Sequence, residues 1–509
     1  MTANPASAGV TPPQDGATPS QLPASGFQLP ASSFRRAASG VRLRASERKL
    51  MLAVVDFALL AAALAVTMRW RTSLLDAPGA LVSYWYWFVT LAIVWWLMAQ
   101  LLECYDLARA ASAPYSILST VGAAGLAVLV YQFIPVFTPP LISRGPILVF
   151  ALLALGSIAL WRGLYAVLFS QPSFHQRALV VGAGQAGRAF SEALQDVPLS
   201  GNPFRGSGYQ ILGFVDDDPA KQKQGSWAGV PVLGSSSELP QLARQRGVDE
   251  VVLAITHRHL MSDAAFKALM TCRELGVPVT TMPSAYERLL GRVPVEHIGH
   301  DLAAVLPLEG GATERLYVVC KRGLDVISGL AGMGVMAVLL PVVALTNAVF
   351  APGPLFYRQE RAGRCGRHFS VVKFRTMRPD AENGSGAVWS EEGDPRITAV
   401  GRWLRKSRLD ELPQVVNVLR GEMSLVGPRP ERPEFIEQLA ESIPFYRARH
   451  AVKPGLTGWA QVRYGYGNTM EDSRIKLEYD LYYVRHAGLY LDSLIILKTL
   501  AVVLRLQGK

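Results

Sequence analysis

Leu50–Met68 reads LMLAVVDFALLAAALAVTM. A helix rises about 1.5 Å per residue, so about 20 apolar residues cover the hydrocarbon core of a bilayer. Three more blocks of this kind follow: YWYWFVTLAIVWWLMAQLL at 84–102, a stretch at 116–136 split by Gly122 and Gly125, and one at 146–161 whose apolar run resumes after Arg162 as far as Phe169. Four such blocks leave too little polar surface to enclose them in a soluble core, so the spacing predicts four transmembrane helices within 46–172. Trp85 and Trp87 sit at one end of their block, where interfacial aromatics belong. Asp56 is costly at its depth unless it faces the bundle interior or an interface.

Arg35, Arg36, Arg42, Arg44, Arg48 and Lys49 precede the first block. The positive-inside rule then puts the N-terminus, and after four crossings everything past 170, on the cytoplasmic side. Residues 1–45 are expected to be a disordered cytoplasmic tail, since 1–34 are rich in Pro, Ala and Ser and carry no basic residue. The first long apolar run begins too late for a signal peptide.

The 509 residues carry a formal charge of +11. That excess suits anionic lipids or anionic substrates. Nucleic acid is not indicated, because no zinc-finger, helix-turn-helix or RNA-binding pattern accompanies the charge. Cys104, Cys272, Cys320 and Cys365 form no CxxC pair, which argues against a disulfide framework or a cysteine metal site.

Within 173–310, strand and helix patterns alternate at the spacing of a parallel sheet. The strand 178–181 runs into Gly182-Ala-Gly184-Gln-Ala-Gly187, which opens a helix. The first glycine permits a tight turn, the second lets a pyrophosphate approach, and the third lets helix and strand pack closely. Asp216 follows the second strand, where a ribose-binding acid would stand. This predicts a Rossmann-like α/β domain. Binding of NAD or another nucleotide and a regulatory or structural role both remain open, and no set of residues for hydride transfer stands out.

Residues 311–509 form the last predicted domain. Its apolar block, about 322–350, contains Pro341, which removes a helix hydrogen bond. A straight span and a helix that enters the bilayer, bends and leaves on the same face are both compatible with composition. Basic regions on both sides favour the second. Between 351 and 378 stand seven Lys or Arg, including Lys373 and Arg375, against one acid. Such a cluster suits a diphosphate or an anionic head group. Then comes GRWLRKSRLDELPQVVNVLRG at 401–421. Asp410 can cap a helix that has Pro413 in its first turn and Gly421 as its stop. The same carboxylate, kept ionised by a helix terminus and nearby arginines, can attack phosphorus, while Glu411 helps hold Mg²⁺. Local physics leaves cap and nucleophile level. Arg429 lies in the rigid Gly-Pro-Arg-Pro turn, and 453–462 form a second Pro/Gly-shaped loop suited to a sugar or nucleotide pocket.

The ordered series Lys321-Arg322-x-x-Asp325, Lys373-Phe-Arg375-Thr-Met, Asp394-Pro-Arg396-Ile-Thr, Leu409-Asp410-Glu411-Leu-Pro-Gln414, Val426-Gly-Pro-Arg429-Pro and Lys453-Pro-Gly-Leu-Thr457-Gly resembles the bacterial sugar transferases, specifically the large monotopic polyprenyl-phosphate phosphoglycosyl transferases. The resemblance covers nearly all of the chain after the tail. It implies Asp410 as nucleophile, Glu411 as its Mg²⁺-binding and positioning partner, and a re-entrant helix broken at Pro341. It further implies transfer of a hexose 1-phosphate, glucose or galactose, from a UDP-sugar to undecaprenyl phosphate through a covalent aspartyl intermediate with loss of UMP. The setting would be the bacterial inner membrane, in exopolysaccharide or capsule synthesis, with a homodimer as the assembly. Lys373, Arg375, Arg396 and Arg429 are the expected phosphate ligands. Gln414, Asn417, Lys453, Thr457 and Gln461 are the expected substrate pocket. Arg408 departs from the family pattern, where a small hydroxyl residue is usual. The competing class is a membrane assembly protein with an inactive dyad. A sugar-nucleotide dehydratase or oxidoreductase would need a Tyr-x-x-x-Lys pair, which 188–310 lack.

Overall fold

The computed structural model describes residues 45–71, 83–105, 110, 113–134, 136–139, 144–169, 176–195, 209–227, 229–256, 261–298, 312–379, 381, 394–465, 467 and 469–504. The expected tail lies outside them. The first four apolar blocks form helices α1 (Ala45–Arg71), α2 (Trp85–Leu101), α3 (Ala113–Gln132) and α4 (Arg144–Phe169). Segments of α1, α3 and α4, together with Arg315–Phe350, are long and apolar enough to cross a membrane, which supports a multi-pass topology; α2 is shorter. Leu64, Leu91, Trp95, Ala127 and Phe150 share the bundle core. Asp56 does face the interior. It meets Arg162 of α4 in a buried ion pair, and Arg162 Nη1 donates to the Cys104 carbonyl at 3.0 Å.

An α/β unit follows: β1 (Gln176–Val181), α5 (Gln185–Gln195), β2 (Tyr209–Val215), α6 (Pro219–Gln224), β3 (Ser226–Trp227), β4 (Val230–Gly234), α7 (Leu239–Arg246), β5 (Glu250–Leu253), α8 (Asp263–Glu274), β6 (Val279–Thr281) and α9 (Met282–Leu290). Its sheet has the order β3-β4-β2-β1-β5-β6, parallel except for β3. The order reverses beside β1, so the glycine loop opens at the switch point of a doubly wound sheet. Gly182 has φ +104°, and a Cβ on Gly187 would fall 2.1 Å from the Gly182 carbonyl oxygen, so both glycines are sterically required. The Asp216 carboxylate accepts from the Ala183 amide of the loop at 2.7 Å and pairs with Lys221 at 2.8 Å.

Helix α10 runs unbroken from Ala312 to Phe350 with Pro341 inside it. No non-helical residue interrupts it at Pro341, so a turn of its axis there would be a bend within the helix. Proline deprives the helix of one hydrogen bond, and packing on both sides of it keeps the helical path. Asp325, Gly329, Gly332, Met336, Leu340, Val343 and Asn347 recur every three or four residues on the face that meets the rest of the domain. Ile327, Leu330, Val338, Val342, Leu345 and Val349 recur on the opposite face and are exposed. One face is thus docked and the other apolar along the same length.

The rest is β7 (Phe356–Ala362), β8 (His368–Phe374), α11 (Ala399–Lys406), a 3₁₀ segment (Leu409–Gln414), α12 (Val415–Arg420), β9 (Ser424–Val426), α13 (Pro433–Ser442), β10 (Gly455–Thr457), α14 (Trp459–Arg463), α15 (Met470–His486) and α16 (Leu489–Leu504). β7 and β8 form an antiparallel hairpin, and β9 and β10 a parallel pair. Lys498 of α16 pairs with Glu103 just after α2.

Candidate active site

The motif Lys321-Arg322-x-x-Asp325 works as a set of brackets on α10. Lys321 Nζ donates to the Val426 carbonyl at 3.0 Å and to Asp492 at 2.9 Å. Arg322 donates to the Val418 and Leu419 carbonyls, both at 2.7 Å, and so closes the C-terminus of α12. Asp325 accepts from Ser424 Oγ and the Leu425 amide, both at 2.8 Å. Gly329 and Gly332 let α12 come close, since a Cβ on either would lie 2.7 Å from Leu419 or Val415. The turn that carries Arg429 is seated in the same way. Gly427 N donates to the Thr457 carbonyl and Gly455 N to the Pro428 carbonyl, both at 2.9 Å. A Cβ on Gly427 or Gly455 would sit within 2.3 Å of the facing backbone.

These supports gather Lys373, Asp410, Glu411 and Arg429. Glu411 is buried. Its carboxylate accepts from Lys373 Nζ at 3.1 Å and from Arg429 Nη2 at 2.6 Å. Burial alone would raise its pKa, but Arg429 and Lys373 outweigh burial and hold the carboxyl far below the usual range. Asp410 differs. It lines the cavity, and its carboxylate makes no hydrogen bond or ion pair with any described residue. Burial and the Glu411 charge push it up to about 6, against the pull of Lys373, Arg405 and Arg429. The cations thus serve Glu411 first. The capping role is corrected. Asp410 lies inside the 3₁₀ segment, whose N-cap is Arg408 in the left-handed region at φ +59°. Gly421 does end α12, with φ +83°.

The cavity encloses about 890 Å³, and twelve Lys or Arg against three Asp or Glu line it. Its size suits a ligand larger than a monosaccharide, and its charge suits one with several phosphate oxygens. Of the expected phosphate ligands, Lys373, Arg375, Arg396 and Arg429 all line it. Arg375, however, spends its guanidinium on the Pro354, Met377 and Ala351 carbonyls and on Asn347, fixing the end of α10. Arg396 is forked onto the buried Asp394, with contacts of 2.9 and 2.6 Å. Of the expected pocket residues only Gln461 lines the cavity. Asn417 is fully buried and holds the Ser370 carbonyl, the Val372 amide and Glu422. Gln414 is buried, Thr457 shares a hydrogen bond with Thr499, and Lys453 stands near Arg322 and Asp325; none of these three lines the cavity. Sequence reasoning missed Arg405, Arg449 and Asp480. For Asp480 a signal existed: an acid beside the apolar stripe Leu477, Leu481, Val484 of one helix face.

No group of three or more His, Cys, Asp or Glu that could hold a metal occurs among the described residues. A Mg²⁺ shared between a carboxylate and substrate phosphates needs fewer protein ligands. Asp410 makes no hydrogen bond or ion pair among the described residues, and Glu411 Oε2 has a long 3.4 Å contact to Arg429. The donor set fits a shared ion, not an all-protein cage.

The bacterial sugar transferase profile matches residues 316–506, and a profile described as a CoA-binding domain matches 100–283. A UDP-glucose:undecaprenyl-phosphate glucose-1-phosphate transferase of Xanthomonas campestris is 35% identical over 354 residues, covering 68% of this chain and 70% of that protein. The chain belongs to the bacterial sugar transferase family. Another sugar transferase, a UDP-N-acetylgalactosamine-undecaprenyl-phosphate N-acetylgalactosaminephosphotransferase of Aeromonas hydrophila, is 40% identical over 237 residues, covering 46% of this chain and 54% of its own length. A glucose-1-phosphate transferase of Escherichia coli K12 is 31% identical over 338 residues, covering 64% of this chain and 67% of the relative. The alignments thus span from about half to about two thirds of these sugar transferases' own length.

Proposed function

We propose that this protein transfers a hexose 1-phosphate from a UDP-sugar to undecaprenyl phosphate, giving undecaprenyl-diphospho-sugar and UMP. The observation that carries the reading is the unpaired Asp410 carboxylate, facing a cation-lined cavity beside a Glu411 already neutralised by Lys373 and Arg429. Asp410 Oδ attacks the sugar-bearing phosphorus. The bond from that phosphorus to the bridging oxygen breaks, and UMP leaves with the electron pair. A phosphate oxygen of the acceptor then attacks the same phosphorus, the Asp410–phosphorus bond breaks, and the carboxylate is regenerated. Arg429 and Lys373 stand where charge builds on the phosphoryl oxygens, and they need no reorganisation because Glu411 already holds them. Asp410 and Glu411 Oε2 would hold Mg²⁺, which neutralises phosphate charge when bound.

Helix α10 would be about 58 Å long if straight, roughly twice the hydrocarbon thickness. It is docked on the catalytic domain from Asp325 to Asn347, which supports a helix that enters and leaves one leaflet, its exposed stripe in lipid. All soluble parts then face the cytoplasm from the bacterial inner membrane. The α/β domain acts as a regulatory or structural unit, because its own Asp216 engages the glycine loop. The homodimer implied by the family resemblance belongs to the same reading and is tested by the mass of the lipid-nanodisc particle.

Glucose is the first sugar to test, with galactose and N-acetylgalactosamine beside it. The experiment incubates radiolabelled UDP-sugars with Mg²⁺ and undecaprenyl phosphate, and follows UMP and labelled lipid. Asp410→Asn should abolish both. Unchanged turnover in that variant would remove Asp410 from the role of nucleophile.

A further inference from the structure

Two residues of the cavity wall each carry a buried acceptor atom that no described donor reaches. Asp480 of α15 has a side chain 2% exposed and lines the cavity. Its Oδ2 accepts from Arg449 Nη2 at 2.7 Å, but its Oδ1 is buried without a partner. Gln461 of α14 lines the same cavity, and its Oε1 is also buried without a partner. Two such atoms are costly to bury unless something donates to them.

Their position says what would donate. Arg449 Nη2 also donates to the backbone carbonyl of Arg429 at 3.0 Å. Asp480 is therefore one guanidinium away from the residue that grips Glu411 beside the reacting carboxylate. Lys373 and Arg429 line the same cavity as Asp480 and Gln461, so one ligand spanning it would meet both pairs. Phosphate itself is a poor occupant, because a carboxylate oxygen repels it and it brings no proton. An ammonium would meet the Arg449 charge. Neutral O–H groups suit both acceptors.

We propose that Asp480 Oδ1 and Gln461 Oε1 form a subsite that reads hydroxyl groups of a sugar ring in the UDP-sugar. This deepens the transferase reading and rests on it. Both the hexose and the ribose of the substrate offer such hydroxyls. The hydroxyl chemistry is common to the two, and binding of UDP alone separates them. Asp480 contributes the charged acceptor, so its loss should weigh more than that of Gln461.

The test uses full-length protein in lipid nanodiscs, in an Asp410→Asn background that blocks turnover. Calorimetry measures binding of UDP-glucose, its deoxy analogues, and UDP. Gln461→Met removes one acceptor with little change in shape. Asp480→Asn keeps an oxygen for Arg449 and turns an N–H toward the former Oδ1 position. Each variant should weaken UDP-glucose binding, Asp480→Asn by roughly 10- to 100-fold. At least one deoxy analogue should lose affinity in the parent and no longer do so in the variant. UDP affinity stays unchanged if the hexose is read, and falls by the same factor if the ribose is read. Variants that bind UDP-glucose within twofold of the parent would overturn the subsite. So would a deoxy penalty that persists in both variants. If Asp480→Asn fails to fold, Gln461→Met decides alone. UMP release by the unmodified protein is measured separately: its absence would sink the transferase reading, while the calorimetry still judges the subsite.

Discussion

The acid limb of the first half-reaction follows from how the two carboxylates share their cations. Lys373 and Arg429 are committed to Glu411, and Asp410 is left with burial and a neighbouring negative charge, which bring it up to about 6. Only the carboxylate form attacks phosphorus. At pH 7 about nine-tenths of Asp410 is ionised and at pH 5 about one-tenth, whereas a carboxyl at its ordinary value would be more than about nine-tenths ionised at both. The value of kcat/KM for UMP release, measured without lipid acceptor, should therefore fall about tenfold between pH 7 and pH 5. Omitting the acceptor removes its phosphate from the titration, and the UDP-sugar has no phosphate that titrates in this range. Glu411→Gln removes the negative neighbour and releases Lys373 and Arg429 toward Asp410, so both changes move the limb to lower pH. Trapped phosphosugar adduct gives the same profile where the variant turns over slowly. A flat profile from pH 5 to 7.5 in the unmodified protein, or a limb that rises in Glu411→Gln, would refute this account of the dyad.

Three further outcomes are expected. Asp56→Leu leaves Arg162 buried without its partner and should cost about 3–5 kcal/mol, while Asp56→Leu with Arg162→Met should recover most of it; thermal unfolding in nanodiscs compares the two. Gly332→Val forces α12 away from α10 at Val415 and should lower kcat at least about tenfold with binding of UDP retained, read by UMP release beside calorimetry. Glu478 joins α15 to the α/β domain, where it faces Arg292, Arg474, Tyr286 and Glu296; burial raises it to about 7 against the two arginines. An acid raised in the folded state binds more protons than in the unfolded one, so its contribution is lost as pH climbs from about 4.5 to 7. Glu478→Gln should flatten that part of the melting-temperature profile, and an unchanged slope would remove Glu478 as its source.

Helices and strands that bury one continuous apolar surface were legible from sequence. The four apolar runs, the β1 strand and its glycine loop each announce themselves by hydrophobic run or by fixed spacing. The hairpin of β7 and β8 did not. Its strands carry Arg358, Arg361 and Lys373 on a half-exposed ribbon, and its turn uses Cys365 at φ +56° before Gly366, not an Asn-Gly or Asp-Gly pair. The site residues divide for a similar reason. Lys373, Asp410, Glu411 and Arg429 stand in motifs whose order could be read. Whether a motif residue points into the cavity or into the core depends on local register. The tight 3₁₀ turn after Arg408 leaves Gln414 buried, and α12 takes Asn417 to the β7–β8 hairpin. Arg375 has the right residue type at the right place, but tertiary contacts with backbone carbonyls absorb its guanidinium.

On the proposed transferase reading, the close seating of α12 on Gly329 and Gly332 bears on how a lipid acceptor would be met. The segment that carries the dyad rests directly on a helix whose far side is apolar and exposed. With that side in lipid, Asp410 would be held at one fixed height above the leaflet. A polyprenyl phosphate confined to the same leaflet presents its head group at one height too. Their encounter becomes a search across a plane instead of through a volume, and the lipid need not be lifted out of the bilayer to be used.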